Sequence, residues 1–373
     1  MRFDSTVADD LQGRVDWRRC CRIAAVGAAV AFVLVLLAVV TSPAPPPGST
    51  EGGYTTLYTP PRSGFEVLLN HADGQAYATL AQDPSLARPE AFLPGAGGAP
   101  TFAGRPVLPY LLWAISLGRP GLLPMAFVVV ETIAGAMLVF GAAALIHATR
   151  RPELDRLALA TLAFPGALTS IAWLGQDSLA LGTALVALVL WVGGRRRPVL
   201  AAGLFLVAGL TRETMLVLPA VVLLHGWITR GWRRVDLLLA APFAAYIGWS
   251  LFVTHRMGAA TGQGIRRNLD LPFVGIARSI GGWGALGVVL VLLQLGLIGW
   301  SLAKPVSRVV WGAVLAYSLA MTLTAAPVWD DWHAGVRVML PVLVLALVNL
   351  QLPARAADVI RRSAPEAVPT PQP

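Results

Sequence analysis

Four polar clusters interrupt an otherwise apolar chain: Asp73-Gly-Gln-Ala-Tyr77, Gly175-Gln-Asp-Ser178, Thr211-Arg-Glu-Thr214 and Trp329-Asp-Asp-Trp-His-Ala-Gly-Val-Arg337. Each stands at the end of a long apolar run, and ionisable groups beside hydrocarbon are costly enough that they usually mark a site. Carboxylates and guanidiniums together suit the transfer of a group off a phosphate. A base takes the proton of an attacking hydroxyl while cations stabilise the departing phosphate. Asp73 is the candidate base, since a carboxylate at a water–lipid boundary is partly desolvated and gains basicity; the alternative is a residue that caps or solvates a helix. Arg212 is the candidate phosphate clamp because its planar fork can grip two oxygens; the alternative is a structural pair with Glu213 or Asp177. Asp177 follows Trp173-Leu-Gly-Gln176 at a tight turn, which by itself accounts for an aspartate; it joins Glu213 as a secondary, substrate-binding member. Gln75 is a candidate partner for substrate hydroxyls. Tyr77 is either a substrate contact or an anchor at headgroup depth.

In the last cluster, Asp330, Asp331 and His333 have the donor types of a divalent-metal site, although adjacent loop residues seldom complete one without distant ligands. His333 and Arg337 serve equally as substrate- and phosphate-binding groups, or as parts of a solvated loop. A basic stretch at 254–278 carries His255, Arg256, Arg266, Arg267 and Arg278. A lipid phosphate or an anionic headgroup would account for those charges, with Arg266 and Arg267 as phosphate ligands. Glu131 lies inside an apolar run, where an acid is a functional candidate or is held by a partner on a neighbouring helix. Cys20 and Cys21 are adjacent and suit neither a structural disulfide nor a metal site. No Walker loop, Rossmann glycine fingerprint, His-Glu-x-x-His or nucleophile elbow is present, so nucleotide-driven and zinc-protease chemistry lack support and no cofactor is implied.

The elements that must position these groups are set by composition. The 373 residues are 56% hydrophobic and 13% charged, with a mean hydropathy of +0.65, where soluble domains carry roughly 25% charged residues. The class expected is all-α: a polytopic transmembrane helical bundle of about ten spans, at 22–42, 121–147, 156–174, 177–194, 198–211, 213–229, 235–254, 281–303, 308–327 and 337–353. The segments assigned to the cytoplasm hold 19 of the 29 basic residues, so the positive-inside rule puts both termini there and all four polar clusters on the outer face. The net charge of +9 is largely this topogenic signal and not a nucleic-acid footprint.

Residues 1–21 form a cytoplasmic segment, 22–353 the membrane domain with its external loop at 43–120, and 354–373 a disordered cytoplasmic tail. The first span reads as a signal anchor; a cleaved secretory signal is the alternative. Residues 43–63 form a Pro-rich tether. Next, Phe65, Leu68, Leu69, Ala72, Ala76 and Leu80 recur at helical spacing and predict an amphipathic helix at the outer interface, with Asp73 and Tyr77 on one face. The apolar piece at 107–117 is too short to span and carries Pro109, so it is expected to be interfacial or re-entrant.

These segments carry a resemblance. Asp73-Gly-Gln-Ala-Tyr-Ala-Thr-Leu-Ala81, Arg105-Pro-Val-Leu-Pro-Tyr-Leu-Leu112 and Ala208-Gly-Leu-Thr-Arg-Glu-Thr214 resemble segments of the C-type membrane glycosyltransferases (the GT-C superfamily, mannosyltransferase-like members included), over roughly 20–230. The resemblance implies a GT-C-like fold in the cell membrane with its active face external. It implies an inverting transfer of a hexose or pentose from a polyprenyl-phosphate donor to a glycan, lipid or protein acceptor, among membrane lipids. A lipid or solute transporter and a non-catalytic envelope scaffold are the alternatives. Clustering of charge at one face, without internal repeats, favours the enzyme.

Overall fold

The structure, a computed structural model, describes residues 15–41, 61, 63–70, 72–88, 99–149, 151–193, 197–258, 269–303, 307–330 and 332–349. Within them the chain is all-α, with one isolated bridge between Leu269 and Thr324 and no strand. Helix α1 (Trp17–Thr41) is followed by four short helices, α2 (Gly64–Leu69), α3 (Ala72–Leu80), α4 (Ala99–Ala103) and α5 (Val107–Ser116). Next come α6 (Leu123–Ala148), a 3-10 run (Pro152–Ala163), α7 (Pro165–Ala172), α8 (Asp177–Val192), α9 (Pro198–Thr211), α10 (Val217–Arg230) and α11 (Ala241–Met257). The chain continues through α12 (Val274–Ser279), α13 (Gly284–Ala303), α14 (Arg308–Thr322), α15 (Ala326–Trp329) and α16 (Trp332–Asn349). Pro165, Pro198 and Pro242 stand in the first turns of their helices, where a missing N–H leaves no bond unmade.

Small residues let α6 pack at close range on both sides. Gly27 of α1 lies against Val139, and Gly135 of α6 against Ala31, an antiparallel contact of the small-xxx-small kind. On the other side a Cβ on Gly141 would stand 2.6 Å from the Gly182 carbonyl, and a Cβ on Gly182 would stand 2.5 Å from the Leu138 nitrogen. Main chains of α6 and α8 therefore touch in parallel register. Helix α8 is apolar all round and buried from Asp177 to Val189, as such a helix must be.

Helices α1 and α13 behave differently. The first buries only Cys20, Gly27, Ala31 and Val35, and the second only Gly287, Val291, Gln294, Ile298 and Ser301, a seam of 3–4 spacing. Their other faces leave Val33, Leu37, Leu286, Leu292 and Leu293 exposed. Apolar faces of this extent are stable against hydrocarbon, not water. Four runs, Trp17–Thr41, Pro120–Ala148, Arg234–Met257 and Gly284–Ala303, are long and apolar enough to cross a membrane, and the remaining apolar helices are shorter. The chain has the make-up of a membrane protein.

Two expectations need correction. The run at 156–174 is not one helix: a 3-10 run ends at Ala163, Phe164 is extended, and Pro165 opens α7. A residue before proline is driven out of helical geometry, which accounts for the break. The amphipathic helix expected over 64–81 is two helices, and from Gly74 to Leu80 every residue is buried. Its small residues, Gly74, Ala76 and Ala78, let protein close over a face that the pattern assigned to the interface. The 107–117 piece is the ten-residue α5, with Tyr110, Leu111 and Trp113 exposed.

The end of the bundle away from α2–α5 is held by charge. Asp155 accepts from Arg19 and contacts His147 at 3.0 Å, and Arg230 pairs with Asp236 at 2.6 Å. At the opposite end Arg256 of α11 donates to the carbonyls of Leu86 and Ala87, tying the end of that helix to the turn after α3. The close α6–α8 crossing makes a prediction. Gly182→Ala forces a methyl into the main chain of α6 and should cost about 1–3 kcal/mol, as overpacking does. Gly203→Ala, with open space around its Cβ position, should unfold at the wild-type temperature or above it. Thermal unfolding of the purified protein in detergent measures both.

Candidate functional site

Four of the polar groups meet although they come from distant parts of the chain. Asp73 enters on the first turn of α3, Asp177 on the first turn of α8, Arg212 as the extended residue ending α9, and Arg337 on α16. The tight turn at 173–176 is what admits them. Leu174 adopts a left-handed φ of 53°, a conformation that costs a non-glycine residue about 1–2 kcal/mol. A Cβ on Gly74 would sit 3.1 Å from the Leu174 side chain, and one on Gly175 would sit 2.6 Å from an Arg337 nitrogen. Both glycines mark close approaches: the first lets α3 lie tightly on the turn, the second leaves the space that the Arg337 guanidinium fills. Gly166 likewise lies against the Val336 carbonyl and brings α16 against α7.

The resulting network is continuous. The Nη2 of Arg337 donates to Asp73 Oδ2 at 2.5 Å and lies 2.7 Å from Asp177 Oδ2, to which its Nε also donates at 2.9 Å. The indole of Trp173 faces this guanidinium at 5.5 Å. The other oxygen of Asp177 pairs with Arg212 Nε at 3.0 Å. Beyond it, Arg105 donates Nε at 2.8 Å and Nη2 at 2.7 Å to the two oxygens of Glu213. Three carboxylates, Asp73, Asp177 and Glu213, thus face three guanidiniums. Such a balance is the condition for keeping charges out of water.

Not every atom is used. Within the described residues Asp73 Oδ1 accepts no hydrogen bond, and the two terminal nitrogens of Arg212 donate none. The side chains of Asp73 and Arg212 are 17% and 13% exposed, against 6% for Arg337 and Asp177, so the free atoms belong to the accessible groups. Glu131 is 1% exposed, and neither carboxyl oxygen has a hydrogen-bond partner among the described residues. The α6–α8 register carries it level with the start of α8, within electrostatic range of Asp177 and Arg337. The side chains of Gln176 and Ser178 are also buried without partners. Each unsatisfied buried group costs about 1–3 kcal/mol.

The structure corrects several assignments. Of the two pairings open to Arg212, the structure has the one with Asp177, while Glu213 turns to Arg105, which was not among the candidate site residues. Its signal was present in hindsight: an arginine opening an apolar proline-rich segment needs a carboxylate. Tyr77 is no headgroup anchor, being fully buried and packed edge-on against Phe102 at 5.4 Å. Burial pushes its phenol up to about 12 despite the nearby Arg105. Gln75 is buried on the same helix. Asp330 accepts from Ser279 at 2.9 Å, away from Arg337. Asp331, Arg266 and Arg267 lie outside the described residues, as does the side chain of His333 on α16. Of the basic stretch at 254–278, Arg256 holds loop carbonyls and Arg278 pairs with Asp270 at 3.2 Å, so these two have partners within the protein. Among the described residues no three His, Cys, Asp or Glu side chains are grouped to hold a metal ion. No protein-family model, curated protein or solved structure matches the chain.

The Arg105–Glu213 pair makes a prediction of its own. Both side chains are largely withdrawn from solvent and their two hydrogen bonds are at 2.7 and 2.8 Å. Glu213→Gln leaves Arg105 uncompensated and should lower the unfolding temperature at pH 7, whereas the double variant Arg105→Met, Glu213→Gln should recover part of the loss. An unchanged unfolding temperature for Glu213→Gln would contradict the pairing.

Proposed function

We propose that the chain is a multi-pass glycosyltransferase of C type in the cell membrane, crossing it about ten times with both termini in the cytoplasm. It transfers a hexose or pentose from a polyprenyl-phosphate donor to a glycan, lipid or protein acceptor at the outer face. The observation that carries this reading is that Asp73 and Arg212 are joined through Arg337 and Asp177, yet among the described residues an acceptor oxygen of the one and two donor nitrogens of the other make no hydrogen bond. Those are the atoms that a base and a phosphate clamp need.

Further support comes from the three segments on which the family resemblance rests. Asp73 of the first and Arg212 of the third belong to the same network, and Arg105 of the second pairs with Glu213 of the third. Arg256 ties the C-terminal end of α11 to the turn after α3, which fits a shared outer face. On this reading the acceptor oxygen attacks the anomeric carbon and its proton passes to Asp73 Oδ1. The bond from that carbon to the phosphate oxygen breaks, its electron pair leaves with the phosphate, and the terminal nitrogens of Arg212 take up the charge. Attack from the face opposite the leaving phosphate inverts the centre. Arg337 holds the other oxygen of Asp73, which orients the carboxylate. Nothing in this sequence of steps requires a metal.

The two candidate residues should fail differently when replaced. With a panel of undecaprenyl-phosphate sugars and purified protein, Asp73→Asn should still bind the donor while turnover falls about 100-fold to 10,000-fold, the loss typical of a general base. Arg212→Ala should lose donor binding as well as turnover, since a clamp acts in the ground state and more strongly in the transition state. Near wild-type turnover by Asp73→Asn would remove Asp73 from the mechanism.

A further inference from the structure

Glu131, Gln176 and Ser178 form a second, chemically different set beside the charged network. All three are buried, at 1%, 1% and 0% exposure, and the polar atoms of each lack hydrogen-bond partners among the described residues. Gln176 and Ser178 flank Asp177, and Glu131 reaches the same level on α6 through the parallel register with α8. The turn that presents Gln176 contains the strained Leu174. Native interiors leave few polar groups unsatisfied, and those they leave call for an explanation such as an absent ligand. Here two flank Asp177 beside a strained turn and the third lies within electrostatic range of it.

Their chemistry indicates what would satisfy them. A phosphate offers acceptors only, and the carboxyl of Glu131 and the carbonyl of Gln176 are themselves acceptors, so phosphate suits Arg212 and not this set. A ring bearing several hydroxyls, each both donor and acceptor, matches the amide, the hydroxyl and the carboxyl together. We infer that Glu131, Gln176 and Ser178 form a recognition subsite for the hydroxyls of the donor's sugar ring, separate from the phosphate contacts. This rests on the reading of the chain as a lipid-phosphate-sugar transferase and adds to it the groups that select the sugar. Sugar contacts had been expected from Gln75; the inference moves them to the start of α8 and to α6.

The test uses the full chain in nanodiscs and two kinds of probe: undecaprenyl phosphate alone, and a panel of undecaprenyl-phosphate hexoses and pentoses. The wild type should bind its preferred sugar lipid at least about tenfold more tightly than the bare lipid, the margin that a hydrogen-bonding site supplies. Gln176→Leu and Glu131→Met should erase that margin while changing bare-lipid affinity by less than about threefold. Both variants should unfold at or above the wild-type temperature, because each removes an unsatisfied polar group. A structural role would not give that last result. If the margin survives in both variants, the subsite is wrong and the phosphate reading is untouched. Loss of bare-lipid binding together with a lower unfolding temperature would make the residues structural and overturn the inference. A wild type that binds neither probe would overturn the donor reading, and the subsite with it.

Discussion

One buried guanidinium organises the site. Arg337 touches Asp73 and Asp177 at once, the one ion-pair partner of Asp73 among the described residues and one of two for Asp177. Removing one partner of a buried pair typically costs about 3–5 kcal/mol because the other charge is left uncompensated. The constraint reaches well beyond the three residues. Helix α3 lies on the 173–176 turn, tightly at Gly74; the turn leaves room for the guanidinium at Gly175; and α16 presses on α7 main chain to main chain, which needs Gly166. The segment at 72–80 is thereby drawn into the bundle, although by composition it could have stayed at the surface.

The bundle divides its labour between rigid and lipid-facing parts. Helices α6 and α8 are joined backbone to backbone and carry Glu131, Asp177 and the adjoining Gln176 and Ser178 on a platform with little freedom to adjust. Helices α1 and α13 contribute one narrow seam each and give the rest of their surface to hydrocarbon. The polar groups on this platform are buried, whereas Asp73 and Arg212 are partly exposed. From Glu131 to the far end of α6 is about 25 Å of helix at about 1.5 Å per residue. That length fits most of a hydrocarbon core about 30 Å thick.

Much of this was legible in the sequence. The apolar runs mark where the helices lie, and Asp73, Asp177, Arg212, Arg337 and Glu131 stood out as charges at or within such runs. Pairing was not legible, because periodicity places a residue on a face without naming its neighbour across the bundle. That is why Arg212 was considered against Glu213 and Asp177 alike, and why Arg105 went unassigned. The burial of α3 escaped for a related reason: small residues such as Gly74, Ala76 and Ala78 read weakly as apolar, yet they are what permits enclosure. The missing partners of Gln176 and Ser178 are a property of three-dimensional packing that no spacing encodes.

The account turns on whether the free nitrogens of Arg212 take a lipid phosphate beside Asp73. A structure of the full chain in nanodiscs with undecaprenyl phosphate bound tests this most directly. The account predicts phosphate oxygens within hydrogen-bond distance of the Arg212 terminal nitrogens, with Asp73 Oδ1 facing the reacting side and Arg337 still joining Asp73 to Asp177. A phosphate bound elsewhere, with Arg212 unchanged on Asp177, would contradict it.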